Sequence, residues 1–148
     1  MGFKEAVRTV LKQKYVTFSG RASRSEFWYF QLFFFLTLIA FGFIIGLLAA
    51  IGHKEHGLPL LATIFAVLAG IFYLGMLLPL IAATVRRFHD RNLSGWWYLG
   101  IFLAGLIPYV NFVTGIATIV ILVLPGTKGP NKFGPDPLNP ASAAEVFA

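Results

Sequence analysis

Arg86-Arg87-Phe88-His89-Asp90-Arg91-Asn92-Leu93-Ser94-Gly95-Trp96-Trp97 is a charged island set between two long apolar runs. Five of its twelve residues can carry charge. Hydrocarbon cannot host such a stretch, so it lies in water or headgroups and the flanking apolar runs turn away from it into lipid. That placement sets the register of the whole chain.

Composition agrees. Of 148 residues, 57% are hydrophobic and 12% charged, against about 25% charged in soluble domains. The chain therefore reads as a membrane protein. The formal charge of +6 is concentrated beside the apolar runs, which points to orientation and anionic headgroups and excludes a nucleic-acid partner, for which a soluble basic face would be needed. The chain has no cysteine, which removes disulfides, thiolate metal sites and cysteine nucleophiles.

Working back from the island, residues 58–85 form a second span, with Pro59 near its start and Pro79 inside, where the missing amide should kink the helix. Before it lies a polar turn holding His53 and His56. Two histidines without a third ligand fall short of a zinc site, so no metal and no cofactor is expected. Residues 27–51 form the first span, about 37 Å of helix at about 1.5 Å per residue, enough for a core of about 30 Å. It is too long for a cleaved signal core. Gly42 and Gly46 make a G-x-x-x-G step suited to a close helix contact. Ser23 and Glu26 have capping-box spacing at its start, and Trp28 and Tyr29 fall at headgroup depth. Residues 1–17 place Phe3, Val7, Val10 and Leu11 at helical spacing, with Lys4, Arg8, Lys12 and Lys14 largely on the other surface. This is the pattern of an interfacial amphipathic helix, or of a solvated helix packed on the same chain.

Beyond the island, Ser94 is placed to cap a helix that starts at Trp96, and Trp96 and Trp97 repeat the aromatic anchor. Residues 96–124 are apolar but broken around Pro108 and Asn111. They form either one kinked third span or a re-entrant hairpin, the kinked span being favoured. Residues 125–148 form a Pro/Gly-rich tail of turns with a poorly ordered end. The expected fold is thus all-α: a polytopic helical bundle of three spans in one membrane domain, residues 1–138. Lys and Arg number six in residues 1–26, three in 86–95 and one in 52–58. The N-terminus and the island therefore belong to the cytoplasmic side of the inner membrane.

Three motifs can be taken together: Phe18-Ser19-Gly20-Arg21-Ala22-Ser23-Arg24-Ser25-Glu26-Phe27-Trp28; Arg86-Arg87-Phe88-His89-Asp90 with Ser94-Gly95-Trp96-Trp97; and Pro125-Gly126-Thr127 with Asn131-Lys132-Phe133-Gly134-Pro135-Asp136-Pro137. In that order they resemble the bacterial inner-membrane family called domain of unknown function 805, over about residues 10 to 138. The third apolar segment, with Gly105 and Asn111, is more extended than the family pattern. The resemblance implies a small multi-spanning inner-membrane protein without an assigned reaction.

For function, the leading expectation is a non-enzymatic protein whose basic motifs, Arg21, Arg24, Arg86, Arg87, His89, Asp90 and Arg91, bind anionic lipid headgroups or a partner membrane protein, with homo-oligomerisation open. Arg86 and Asp90 stand at i and i+4 and can pair if the helix extends that far. A transporter or channel component is the second class, against which the spans carry no Asp, Glu, Lys, Arg or His. A lipid-modifying enzyme using His89 and Asp90 is the third. No phosphate loop or nucleophile elbow supports it, and adjacent residues on a helix do not face each other. Whether Asn131, Phe133 and Asp136 of the tail share a face with Arg87 and His89 decides between one composite polar site and two surfaces.

Overall fold

The computed structural model describes residues 1–52 and 58–139. The His53/His56 turn and the chain end from residue 140 lie outside the described residues. Among the described residues there are helices and no strand, only an isolated bridge between Asn131 and Gly134. In order they are α1 (Phe3–Arg8), a π-helical turn (Thr9–Gln13), α2 (Arg24–Gly52), α3 (Leu58–Asp90), α4 (Gly95–Ala104) and α5 (Val110–Val123). The expected all-α architecture with two long apolar helices is present.

α2 and α3 pair along their length because each is apolar on every face and carries aromatic side chains that interlock. Phe72 of α3 meets Phe33, Phe34 and Phe41 of α2 at ring-centroid distances of 6.4, 6.1 and 5.9 Å. Both helices extend beyond the predicted spans, and α3 continues through the first five residues of the island to Asp90. The G-x-x-x-G step is not an internal seam: no other element comes within 4 Å of a Cβ placed at Gly42 or Gly46.

The N-terminal segment packs on its own chain. Ala6 and Val10 are fully buried, and Phe3 sits edge-on to Tyr29 of α2 at 6.1 Å. The π-helical turn then brings Tyr15 to α3, where its hydroxyl donates to the Gly75 carbonyl. The reason lies four residues on: Pro79 has no amide hydrogen, so Gly75 O is the carbonyl that a proline inside the helix orphans. α3 stays one helix through Pro79, with Tyr15 supplying the missing donor.

The third apolar segment departs from the favoured expectation. It is not one kinked span but two helices, of 10 and 14 residues. At about 1.5 Å per residue these are about 15 and 21 Å long, each short of a core of about 30 Å. They run antiparallel: one groove is lined by Tyr98, Phe102 and Gly105 of one arm and by Thr114 and Thr118 of the other. The reversal lies between Ala104 and Val110, where Tyr109 takes a φ of 68° and is 92% exposed. Both ends of the segment therefore rest on the same end of α3, Gly95 against Val85 and His89, and Leu122 against Arg87. The buried cluster of Val10, Phe27, Phe30, Ala83, Phe88 and Leu122 draws on the N-terminal turn, α2, α3 and α5 and sits at that end.

Candidate functional site

Four helix termini converge at the charged end of α3: the starts of α2 and α4 and the ends of α3 and α5. Starts of helices leave amides unpaired, and ends leave carbonyls. The three sequence motifs supply the missing partners. Ser23 Oγ accepts from the Glu26 amide at 3.2 Å, and Ser94 Oγ accepts from the Trp96 amide at 3.4 Å, so both serines cap as expected. Glu26 does not complete the capping box. Its carboxylate takes a salt bridge from Arg86, with Lys14 at 3.7 Å.

The end of α3 is capped by the tail. Thr127 donates its amide, at 2.8 Å, and its hydroxyl, at 3.1 Å, to Asp90 O, and Asn131 Nδ2 donates to His89 O at 2.9 Å. Gly126 makes the approach possible, because any Cβ there would collide with the Asp90 carboxylate. The end of α5 is capped in turn by Arg87, which donates to the Leu122 and Leu124 carbonyls, a cation where the helix dipole favours one. The tail is held together internally. Asp136 accepts from the Gly129 amide at 3.0 Å and the Leu138 amide at 2.9 Å, and Asn131 Oδ1 accepts from the Phe133 amide at 2.9 Å. The expected run of turns is therefore one ordered cap as far as residue 139.

Asp90 is the centre. It is 3% exposed and holds two guanidiniums, Arg21 on Oδ1 at 2.8–2.9 Å and Arg87 on Oδ2. Arg21 also donates to the carbonyls of Thr127 and Gly129, so one side chain joins the first motif to the second and third. The composite polar site is thus formed. The anticipated Arg86–Asp90 pair is not: the helix reaches Asp90, but Arg86 turns to Glu26 on α2, and Arg87 takes the aspartate at i,i+3. Arg86 Nε and Nη2 find no partner among the described residues. Nor do His89 and Asp90 pair. His89 Nδ1 donates to the Gly20 carbonyl at 3.1 Å, and its ring stacks on Phe133 at 3.9 Å with the planes 2° apart.

This corrects the picture of a row of arginines facing lipid. Arg21, Arg86 and Arg87 are buried and internally paired, Arg91 donates to the Pro125 carbonyl, and Arg24 alone of the five points outward without a partner among the described residues. Arg24 lines a cleft of about 430 Å³ with Ser23, Ser25, Asp90, Thr127 and Lys128, and with Pro125 and Leu138. Sequence reasoning missed Thr127, Lys128 and Gly126 as site residues, although their motif was legible. It also missed Tyr15, whose only signal is a proline 64 residues away. Trp28, Tyr29, Trp96 and Trp97 are all exposed and ring the same end.

The fold and site define a small helical membrane protein whose charged end is closed by an interlocked arginine–aspartate knot. The family described as "Protein of unknown function (DUF805)" matches residues 15–135, and the chain belongs to it. Among its relatives, the inner membrane protein YhaH of Escherichia coli (strain K12) is 39% identical over 130 residues, covering 86% of this chain and 92% of the relative. The inner membrane protein YhaI of the same strain is 35% identical over 129 residues, covering 87% and 92%. No solved structure matches.

Proposed function

We propose that this chain is a multi-pass inner-membrane protein that binds anionic lipid headgroups at its cytoplasmic end, without catalysing a reaction. In this reading α2 and α3 cross the bilayer, and α4 and α5 form a re-entrant hairpin that enters and leaves on the cytoplasmic side. The N-terminal segment then lies along the bundle at the interface. The charge asymmetry supports that orientation, with nine Lys and Arg in residues 1–26 and 86–95 against one in 52–58. Exposed Trp28, Tyr29, Trp96 and Trp97 at one level fit an aromatic belt.

The observation that carries the headgroup reading is the cleft. Arg24 and Lys128 line it and neither has an ion-pair partner among the described residues, while the hydroxyls of Ser23, Ser25 and Thr127 stand beside them. Its carboxylates do not oppose an anion at full strength: Asp90 is neutralised by Arg21 and Arg87, and Asp136 is occupied by two amides. The same saturation of Asp90 leaves no carboxylate to orient His89 as a base, which speaks for binding over acid–base chemistry.

The test is lipid retention by the full chain purified in mild detergent. A basic residue near an anionic surface contributes about 1 kcal/mol, so Arg24→Gln with Lys128→Gln should weaken binding of phosphatidylglycerol and cardiolipin about 30-fold. Retention equal to that of the unaltered chain, or an equal loss on replacing the exposed Lys4 and Lys12, would overturn the assignment to the cleft.

A further inference from the structure

A second cleft, of about 590 Å³, opens between the C-terminal half of α3 and α4, lined by Phe18, Ile81, Val85, His89, Leu99 and Phe102. Its volume is that of a small-molecule site, roughly 300–1,000 Å³. It is graded along its length. His89 and Gly95 lie at the charged end, and Ile81 and Phe102 lie two turns deeper, about 10–12 Å at about 1.5 Å per residue.

The polar end is built around His89, with Ser94 beside it. His89 is 9% exposed and its ring is fixed on two sides, with Phe133 stacked on its face and Nδ1 bonded to Gly20 O. A carbonyl only accepts, so Nδ1 carries the hydrogen and, in the neutral ring, Nε2 is left as an acceptor. Nε2 faces the Gly95 backbone, 3.6 Å from where a Cβ would stand. A side chain there would also meet Val85 Cγ1 at 2.7 Å, so glycine both seats α4 on α3 and leaves the imidazole edge uncovered. No Lys, Arg, Asp or Glu lines this cleft.

We propose that this cleft binds one hydrocarbon chain of an amphiphile with an uncharged, hydroxyl-bearing head, such as a monoacylglycerol, whose hydroxyl donates to His89 Nε2. The apolar length receives the chain, His89 Nε2 beside the Ser94 hydroxyl receives the head's hydroxyl, and the lack of any lining Lys, Arg, Asp or Glu leaves a phosphate head without a counter-ion. The site is separate from the cleft of Arg24 and Lys128.

The experiment is native mass spectrometry of the full chain released from nanodiscs, titrated with 1-monooleoylglycerol or with methyl oleate, which has the same chain and no hydroxyl. One monooleoylglycerol should bind saturably, and methyl oleate about fivefold more weakly, the worth of one neutral hydrogen bond. Leu99→Trp, on a partly exposed helical position, should fill the cleft and weaken monooleoylglycerol at least about tenfold, with Leu74→Trp on the outer face of α3 unchanged. Arg24→Gln with Lys128→Gln should leave this binding as it is while reducing anionic lipid, which separates the two sites. Equal binding of methyl oleate by the unaltered chain, undiminished binding by Leu99→Trp, or unsaturable uptake would overturn the proposal.

Discussion

Replacing Asp90 with Asn tests whether the charged end is held by its carboxylate. The substitution keeps shape and removes one negative charge from between two buried guanidiniums, those of Arg21 and Arg87, whose side chains are 1% and 0% exposed. Stranding a buried charge costs about 3–5 kcal/mol. Here each guanidinium keeps two carbonyls, Thr127 and Gly129 for Arg21 and Leu122 and Leu124 for Arg87. The lower end therefore applies, about 3 kcal/mol, or roughly a hundredfold in the docked-to-undocked ratio of the tail. Amide hydrogen exchange of the full chain in detergent reads that ratio directly. The Thr127 and Gly129 amides, bonded to Asp90 O and Asp136, should exchange about a hundredfold faster, while amides in the middle of α2 keep their protection. An acceleration under about threefold in Asp90→Asn would refute the reasoning, since the carbonyls alone would then suffice to hold the arginines.

Tyr15→Phe should cost about 1–3 kcal/mol by leaving Gly75 O without a donor, but under about 0.5 kcal/mol in a Pro79→Ala background, where the new amide takes that carbonyl; chemical unfolding in detergent gives the double-mutant cycle, and equal costs in both backgrounds would sink the assignment. Cysteines at the exposed positions Lys12 and Lys132, in a chain with no native cysteine, should both resist a membrane-impermeant thiol reagent in intact cells and react after lysis. Labelling of position 132 alone from outside would rule out the returning hairpin. Phe133→Ala removes the ring stacked on His89, a contact worth about 0.5–1.5 kcal/mol beyond its buried area, and tail amide exchange should rise about two- to tenfold; no change would mean that Asn131 and Asp136 alone order the tail.

The long helices were legible because nothing but lipid tolerates runs such as 27–51 and 58–85, and Ser94 was legible because a cap is a local pattern. The fate of the arginines was not. Charge counting puts Arg86 and Arg87 near water, yet it says nothing of a glutamate 60 residues earlier in the chain or of carbonyls 35 and 37 residues later. The tail misled for a related reason. Pro and Gly density forbids helix, but order in Gly126 to Asp136 comes from Thr127 and Asn131 meeting the open end of α3 and from Asp136 and Asn131 bonding the tail's own amides, partners that residue density does not disclose. The third apolar segment was ambiguous by length alone: 29 residues suit one tilted span or two short arms. The reversal at Tyr109 and the landing of Leu122 beside Arg87 distinguish them.

Arg21 donates to Gly129, 108 residues further along, so the knot joins the approach to the first long helix to the tail. During synthesis Arg21 and Asp90 emerge long before the carbonyls that share their load, and the end of α3 stays uncapped until Thr127 and Asn131 have followed. Closure therefore cannot precede the synthesis of residues 127–131. A chain cut short before residue 127 holds both long helices and every arginine of the site, yet presents an open helix end and half-partnered cations, so completeness of synthesis is written into the same contacts that hold the finished protein together.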